Sequence, residues 1–139
     1  MKTMRFKYST THSRQSEIDS LPRLPLLLQS GGKSLEVIGL VDSGATINVL
    51  PFSIGQHLGG VWDERKATVK LAGNLARSNA QPLVLQAQVG ETPPILLAFA
   101  WASHDETPVI LGQMNFFLEF EVCFFREKLE FEVKLKNQH

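Results

Sequence analysis

The chain has 139 residues, 43% of them hydrophobic, which is enough for one compact domain with a buried core. Its 14 basic and 14 acidic residues cancel, which argues against the basic face of a nucleic-acid-binding protein. The single Cys123 excludes an intramolecular disulfide and a multi-cysteine zinc site, and no segment reaches the run of about 18 apolar residues that spans a bilayer.

Residues 1–20 are polar and lack the apolar core of a signal peptide, so the chain reads as a soluble, cytoplasmic protein with no membrane partner. They form an N-terminal segment, flexible or with an edge strand at Met4–Tyr8, ahead of one domain over residues 21–139. Leu24 to Leu28 is apolar despite Pro25, and a proline in a strand points to an edge or a strand start. Gly31-Gly32-Lys33 is a turn signal, so a hairpin leads into the strand Leu35–Val41. Thr46–Leu50 reads as a strand and Pro51–Leu58 as a short helical turn closed by Gly59-Gly60. Ala67–Leu71 alternates and ends in a turn candidate at Ala72-Gly73-Asn74. Leu83, Leu85, Ala87 and Val89 mark a half-buried strand, and Ile95–Trp101 follows after Pro93-Pro94. Val109-Ile110-Leu111-Gly112 is a short buried strand, and Gln113–Leu118 suggests one or two helical turns. Two further strands, Glu119–Phe125 and Leu129–Lys136, are joined by Arg126-Glu127-Lys128. Many short strands with turn signals and almost no helical periodicity indicate an all-β barrel or sandwich.

Chemistry concentrates in Val41-Asp42-Ser43-Gly44-Ala45-Thr46. A carboxylate at the end of a buried strand costs free energy to desolvate, so it needs partners or a changed protonation state. Ser43 offers a hydroxyl, and Gly44 lets the chain turn sharply and approach another main chain. The plain reading of Asp42 is a turn residue, because Asp-Ser-Gly is a common loop. The buried strand before it and Ile110-Leu111-Gly112 downstream favour the catalytic reading. Ser43 as a nucleophile lacks both a Gly-x-Ser-x-Gly setting and a histidine placed as its base. His12, His57, His104 and His139 have no metal-ligand spacing, so no metal is expected. Cys123, Trp62 and Trp101 read as packing residues.

Three segments, in order, resemble the retropepsin family, the single-domain retroviral-type aspartic proteases. They are Leu40-Val41-Asp42-Ser43-Gly44-Ala45-Thr46, then Val69-Lys70-Leu71-Ala72-Gly73-Asn74 at the place of the flap, then Val109-Ile110-Leu111-Gly112. The resemblance covers roughly Leu24 to Leu118. It implies an all-β acid-protease fold: a closed β-barrel with one short helix and a flap hairpin, active as a homodimer and without a cofactor. It implies that Asp42 is the catalytic carboxylate, supported by Ser43 and Gly44. It places Ala45, Thr46, Val49, Leu71 and Ile110 against an extended peptide or protein substrate, with Ala72, Gly73 and Asn74 at the flap tip. A second Asp-Ser/Thr-Gly does not occur in the chain, so the dyad requires two copies. The same fold also suits a catalytically silent dimerisation or peptide-binding module, and a scaffold-type β-domain needs no dyad at all.

Departures from the family pattern carry expectations of their own. Thr46 and Gln113 stand where many retroviral enzymes have an acid–base pair, and a Thr46–Gln113 hydrogen bond is expected instead. The chain runs on past Leu118 to His139, so the family's terminal dimer sheet is expected to be rearranged. In Leu129–Lys136 the apolar and charged residues alternate. Set antiparallel to its own copy, Glu130 faces Lys136 and Glu132 faces Lys134, which suggests that strand as the dimer seam.

Overall fold

A computed structural model of the chain describes residues 2–10, 20–71 and 78–136. The first strand, β1, is Thr3–Lys7. The hairpin β2 (Arg23–Ser30) and β3 (Lys33–Val41) follows, then β4 (Asn48–Leu50) and helix α1 (Phe52–His57). After a 3-10 turn at Glu64–Lys66 come β5 (Val69–Lys70), β6 (Asn79–Gln88), β7 (Ile95–Ala102) and β8 (Val109–Leu111). Helix α2 (Phe116–Glu119) leads into β9 (Phe120–Phe125), and a 3-10 turn at Arg126–Lys128 leads into β10 (Glu130–Leu135). The described residues thus carry two short helices rather than one. No helix is long and apolar enough to cross a membrane.

Strands β2, β3, β8, β4, β7 and β6 are hydrogen-bonded in that order, and β2 returns to β6 to close a barrel. The closing seam is short: Leu27↔Gln88, Leu28↔Ala87 and Gln29↔Gln86. Pro25 lies ahead of that seam, where β2 pairs only with β3, so its missing N–H costs no ladder bond. Alternation does the sorting. Leu24, Leu26 and Leu28 of β2, Val37 and Val41 of β3, and Leu97, Phe99 and Trp101 of β7 all point into one core. Fully buried Trp101 stacks on Phe52 at 5.5 Å and meets Trp62 edge-on at 5.2 Å. Its indole N–H donates to the Phe52 carbonyl at 3.0 Å, so burial leaves no orphan donor. Helix α1 crosses the indole so closely that a Cβ on Gly55 would lie 2.3 Å from the ring nitrogen.

The short β5 pairs with β6 at the end of the same sheet, and β1, β10 and β9 form a separate three-stranded sheet in that order. Met4↔Val133↔Val122 and Phe6↔Phe131↔Phe124 lie in register, and the face they share packs on the barrel core through Phe131, Val133 and Leu135. Phe116 and Phe120, stacked 4.9 Å apart, belong to the same core and tie helix α2 to both layers.

Three expectations are corrected here. β10 is the central strand of its sheet, with β1 on one side and β9 on the other, so it has no free edge to pair with a copy. Its carboxylates are matched within the chain instead: Arg5 reaches Glu130 at 2.9 Å and Glu132 at 2.7 Å. Cys123 is exposed rather than packed in the core. Phe120 is buried at the end of α2, and that sets the phase of β9, turning Val122 inward and Cys123 outward beside Glu132. Residues 113 and 114 do not begin the helix, because their N–H groups donate to Ala45 and Thr46 carbonyls.

Candidate active site

Asp42 stands one residue past the end of β3, which runs parallel to β8 with Val41 opposite Leu111. Its N–H donates to the Leu111 carbonyl at 3.0 Å, and its own carbonyl accepts from Ala45 N–H at 3.1 Å. The carboxylate oxygen Oδ1 accepts from Gly44 N–H at 2.9 Å. These bonds fold the loop back on itself and hold the Asp42 side chain half-buried at its centre. Asp42 and Ser43 line an open hollow of about 370 Å³ with Leu21, Pro22, Leu40, Val41 and Phe124. Leu21 and Phe124 are each 39% exposed there, which is high for large apolar side chains.

The loop is clamped from the far side by the segment after β8. Gln113 N–H donates to Ala45 O at 2.9 Å, and Met114 N–H donates to Thr46 O at 2.8 Å. The Gln113 side-chain amide donates to the Ser43 carbonyl at 2.8 Å, so the expected Thr46–Gln113 bond is replaced by a side-chain-to-backbone bond. Between them Gly112 passes so close that a Cβ would sit 2.5 Å from Ile47 O and 2.9 Å from Ala45 O. Only a residue without a side chain fits between those backbone oxygens.

Beneath the clamp lies Asn48, fully buried, a residue that the sequence reading passed over. Its Oδ1 accepts from Gly112 N–H at 2.8 Å. Its amide nitrogen donates to Ala98 O at 3.0 Å and to Asn115 Oδ1 at 3.1 Å. Asn115 in turn accepts from Ala98 N–H and donates to Leu96 O, both at 3.0 Å. Two amide side chains thus join β4, β7 and the Gly112 segment, leaving no polar atom of the pair unpartnered. The available signal was a lone polar residue inside the buried run Ile47-Asn48-Val49-Leu50.

Three of the residues assigned to substrate contact come together. Val49, 3% exposed, and Leu71, 6% exposed, form a second apolar cluster with Ala80, Ala100 and Ala102, and half-buried Ile110 packs against it. Alternation explains the separation: Leu50, Val109 and Leu111 turn into the barrel, while Val49 and Ile110, directly paired, turn to its outer wall. Ala45 is half-buried and Thr46 exposed on the loop itself. Leu71 N–H donates to Ser78 O at 3.0 Å, and Val69 pairs with Ala80, so the chain forms the base of a hairpin here. Ala72, Gly73 and Asn74, expected at its tip, lie outside the described residues.

Other polar groups are occupied elsewhere. His104 Nδ1 accepts from Glu106 N–H at 3.1 Å, and its Nε2 lies 3.4 Å from Ser78 Oγ. Asp63 caps the 3-10 turn at Glu64–Lys66. Its hydrogen bonds from the Arg65 guanidinium and from the Arg65 backbone N–H hold its carboxyl below the usual range. Hydrogen bonding to Glu132, reinforced by the charges of Glu132 and Glu130, raises Arg5 above its already high value.

No protein-family model and no curated protein matches this sequence. A solved structure does match: a retropepsin-like aspartic protease from Rickettsia conorii, at 17% identity and a TM-score of 0.65. The match covers 95% of this chain and 91% of that one, so it spans the barrel and the three-stranded sheet together. At that identity the likeness speaks to architecture, and the chain has the retropepsin-like aspartic protease fold.

Proposed function

We propose that this chain is an aspartic endopeptidase that acts as a homodimer, with Asp42 of each copy supplying one carboxylate. The observation that carries the reading is a half-buried Asp42 in a loop fixed by Gly44 N–H, Ala45 N–H and Leu111 O, on a retropepsin-like barrel. Two carboxylates brought side by side share one proton, because both cannot be ionised at such close range. The ionised one takes a proton from a water, whose oxygen attacks the amide carbon. The protonated one gives its proton to the carbonyl oxygen, and the C–N bond then breaks as the amine takes up a proton. Ser43 would steady the loop of the second copy, and the Gly44 carbonyl would accept from the substrate backbone. Ala45, Thr46, Val49, Leu71 and Ile110 would form subsites of mainly apolar character. Ala72, Gly73 and Asn74 would close over the peptide from the hairpin. This chemistry calls for no metal or organic cofactor.

Cleavage of a peptide library with and without pepstatin tests the reading. Turnover should be pepstatin-sensitive and absent in Asp42→Asn, with far-UV circular dichroism and sedimentation of the variant unchanged. Wild-type turnover in Asp42→Asn would reject the proposal.

A further inference from the structure

We propose that the open edge of β9 is the seam of the homodimer, pairing antiparallel with the β9 of a second copy; this rests on the two-copy reading above. β9 is the outer strand of the sheet β1-β10-β9 and sits beside the Asp42 loop. Lys136 N–H donates to Glu119 O at 2.9 Å, just beyond the pair Leu135↔Phe120. Bonded and non-bonded pairs alternate along an antiparallel ladder. Counted from Glu119, the backbone groups of Glu121, Cys123 and Phe125 turn toward β10, and those of Val122 and Phe124 turn toward the open edge. Among the described residues no strand covers this edge, and a bare edge is a template for another strand.

The side chains suit a copy of the same strand. A two-fold axis through Cys123 sets Cys123 against Cys123, Val122 against Phe124 and Glu121 against Phe125. The Phe125 ring lies 4.8 Å from the Arg5 guanidinium carbon and 6.0 Å from the Lys128 ammonium, so Glu121 of one copy meets two cations of the other. Val122 and Phe124 continue the apolar face. Phe124 and Leu21, exposed in the single chain, would be covered beside Asp42 and Ser43, in the hollow that the second Asp42 loop must approach. The two sheets become one of six strands, and every contact occurs twice, as an isologous interface requires.

The test uses the full chain and reads association, not turnover. A short bis-maleimide should link wild-type copies through Cys123 and leave Cys123→Ser unlinked. Val122→Pro removes an edge-facing N–H and no ladder bond to β10, at the cost of some apolar packing, so the variant should fold with a lower melting midpoint, and the dimer Kd in sedimentation should rise about tenfold or more. Glu121→Lys should weaken the dimer in the same direction and decides the matter if Val122→Pro does not fold. Leu96→Lys, on the outer face of β7, should leave the Kd unchanged. A folded Val122→Pro or Glu121→Lys with wild-type Kd, a wild type that stays monomeric, or a larger loss in Leu96→Lys would overturn the seam. Failure of the protease reading shows separately, as a wild type that dimerises through Cys123-linked strands without pepstatin-sensitive turnover.

Discussion

The Asp42 clamp and the three-stranded sheet are held together by opposite means. In the clamp, charge is nearly absent: neutral amides of Asn48, Asn115 and Gln113 bond to backbone groups, and Asn48 is fully buried. In the sheet, an apolar underface of Phe6, Phe131 and Val133 supplies the adhesion, and Arg5 lies across Glu130 and Glu132 on the wet side. A buried hydrogen bond is costly to break, because the abandoned partner cannot turn to water. An exposed ion pair is cheap to break, because water replaces it. Rigidity is therefore concentrated where a catalytic loop would need it.

The sharpest way to break this contrast is Asn48→Ala. It strands the buried Gly112 N–H and takes a donor from Ala98 O and from Asn115 Oδ1, and should cost about 3 kcal/mol of stability in urea unfolding. A loss as small as a surface substitution would mean that the amide pair is decoration. Arg5→Gln should lower the melting midpoint far less, and the difference from wild type should shrink further as salt is added. A large, salt-independent loss would erase the distinction between the two regions. The smallest effect belongs to Asp63, whose carboxyl is held low by Arg65. A depressed carboxyl adds stability above the unfolded-state value, and that increment is lost as pH falls through the folded one. Wild type should thus exceed Asp63→Asn slightly at neutral pH and converge with it below about pH 4, as read by thermal unfolding across a pH series.

Period-two alternation made β3, β6 and β10 legible, since one face of each had to be buried. The places of the Asp42 loop and of Gly112 at the ends of β3 and β8 were legible because a charge or a glycine breaking an apolar run marks a strand end. Asn48 was not, because a single amide in an apolar run does not name its partners, which lie far along the chain at Ala98, Gly112 and Asn115. Cys123 was misjudged because Val122-Cys123-Phe124-Phe125 has no alternation from which to read a phase. The charge pattern of β10 was misread as a seam for a second copy. Arg5, remote in sequence, satisfies it before any second copy can.

Gly112 has a consequence for how this sequence can drift. Its walls are the carbonyls of Ile47 and Ala45, so no rotamer change makes room for even a methyl group. Gly32, in the β2–β3 turn, has no atom within 4 Å of a would-be Cβ. In a saturation library scored only for folded protein, position 32 should accept many residues and position 112 none. Descendants of this chain could vary position 32 freely, yet this one atom-sized gap would have to be inherited intact.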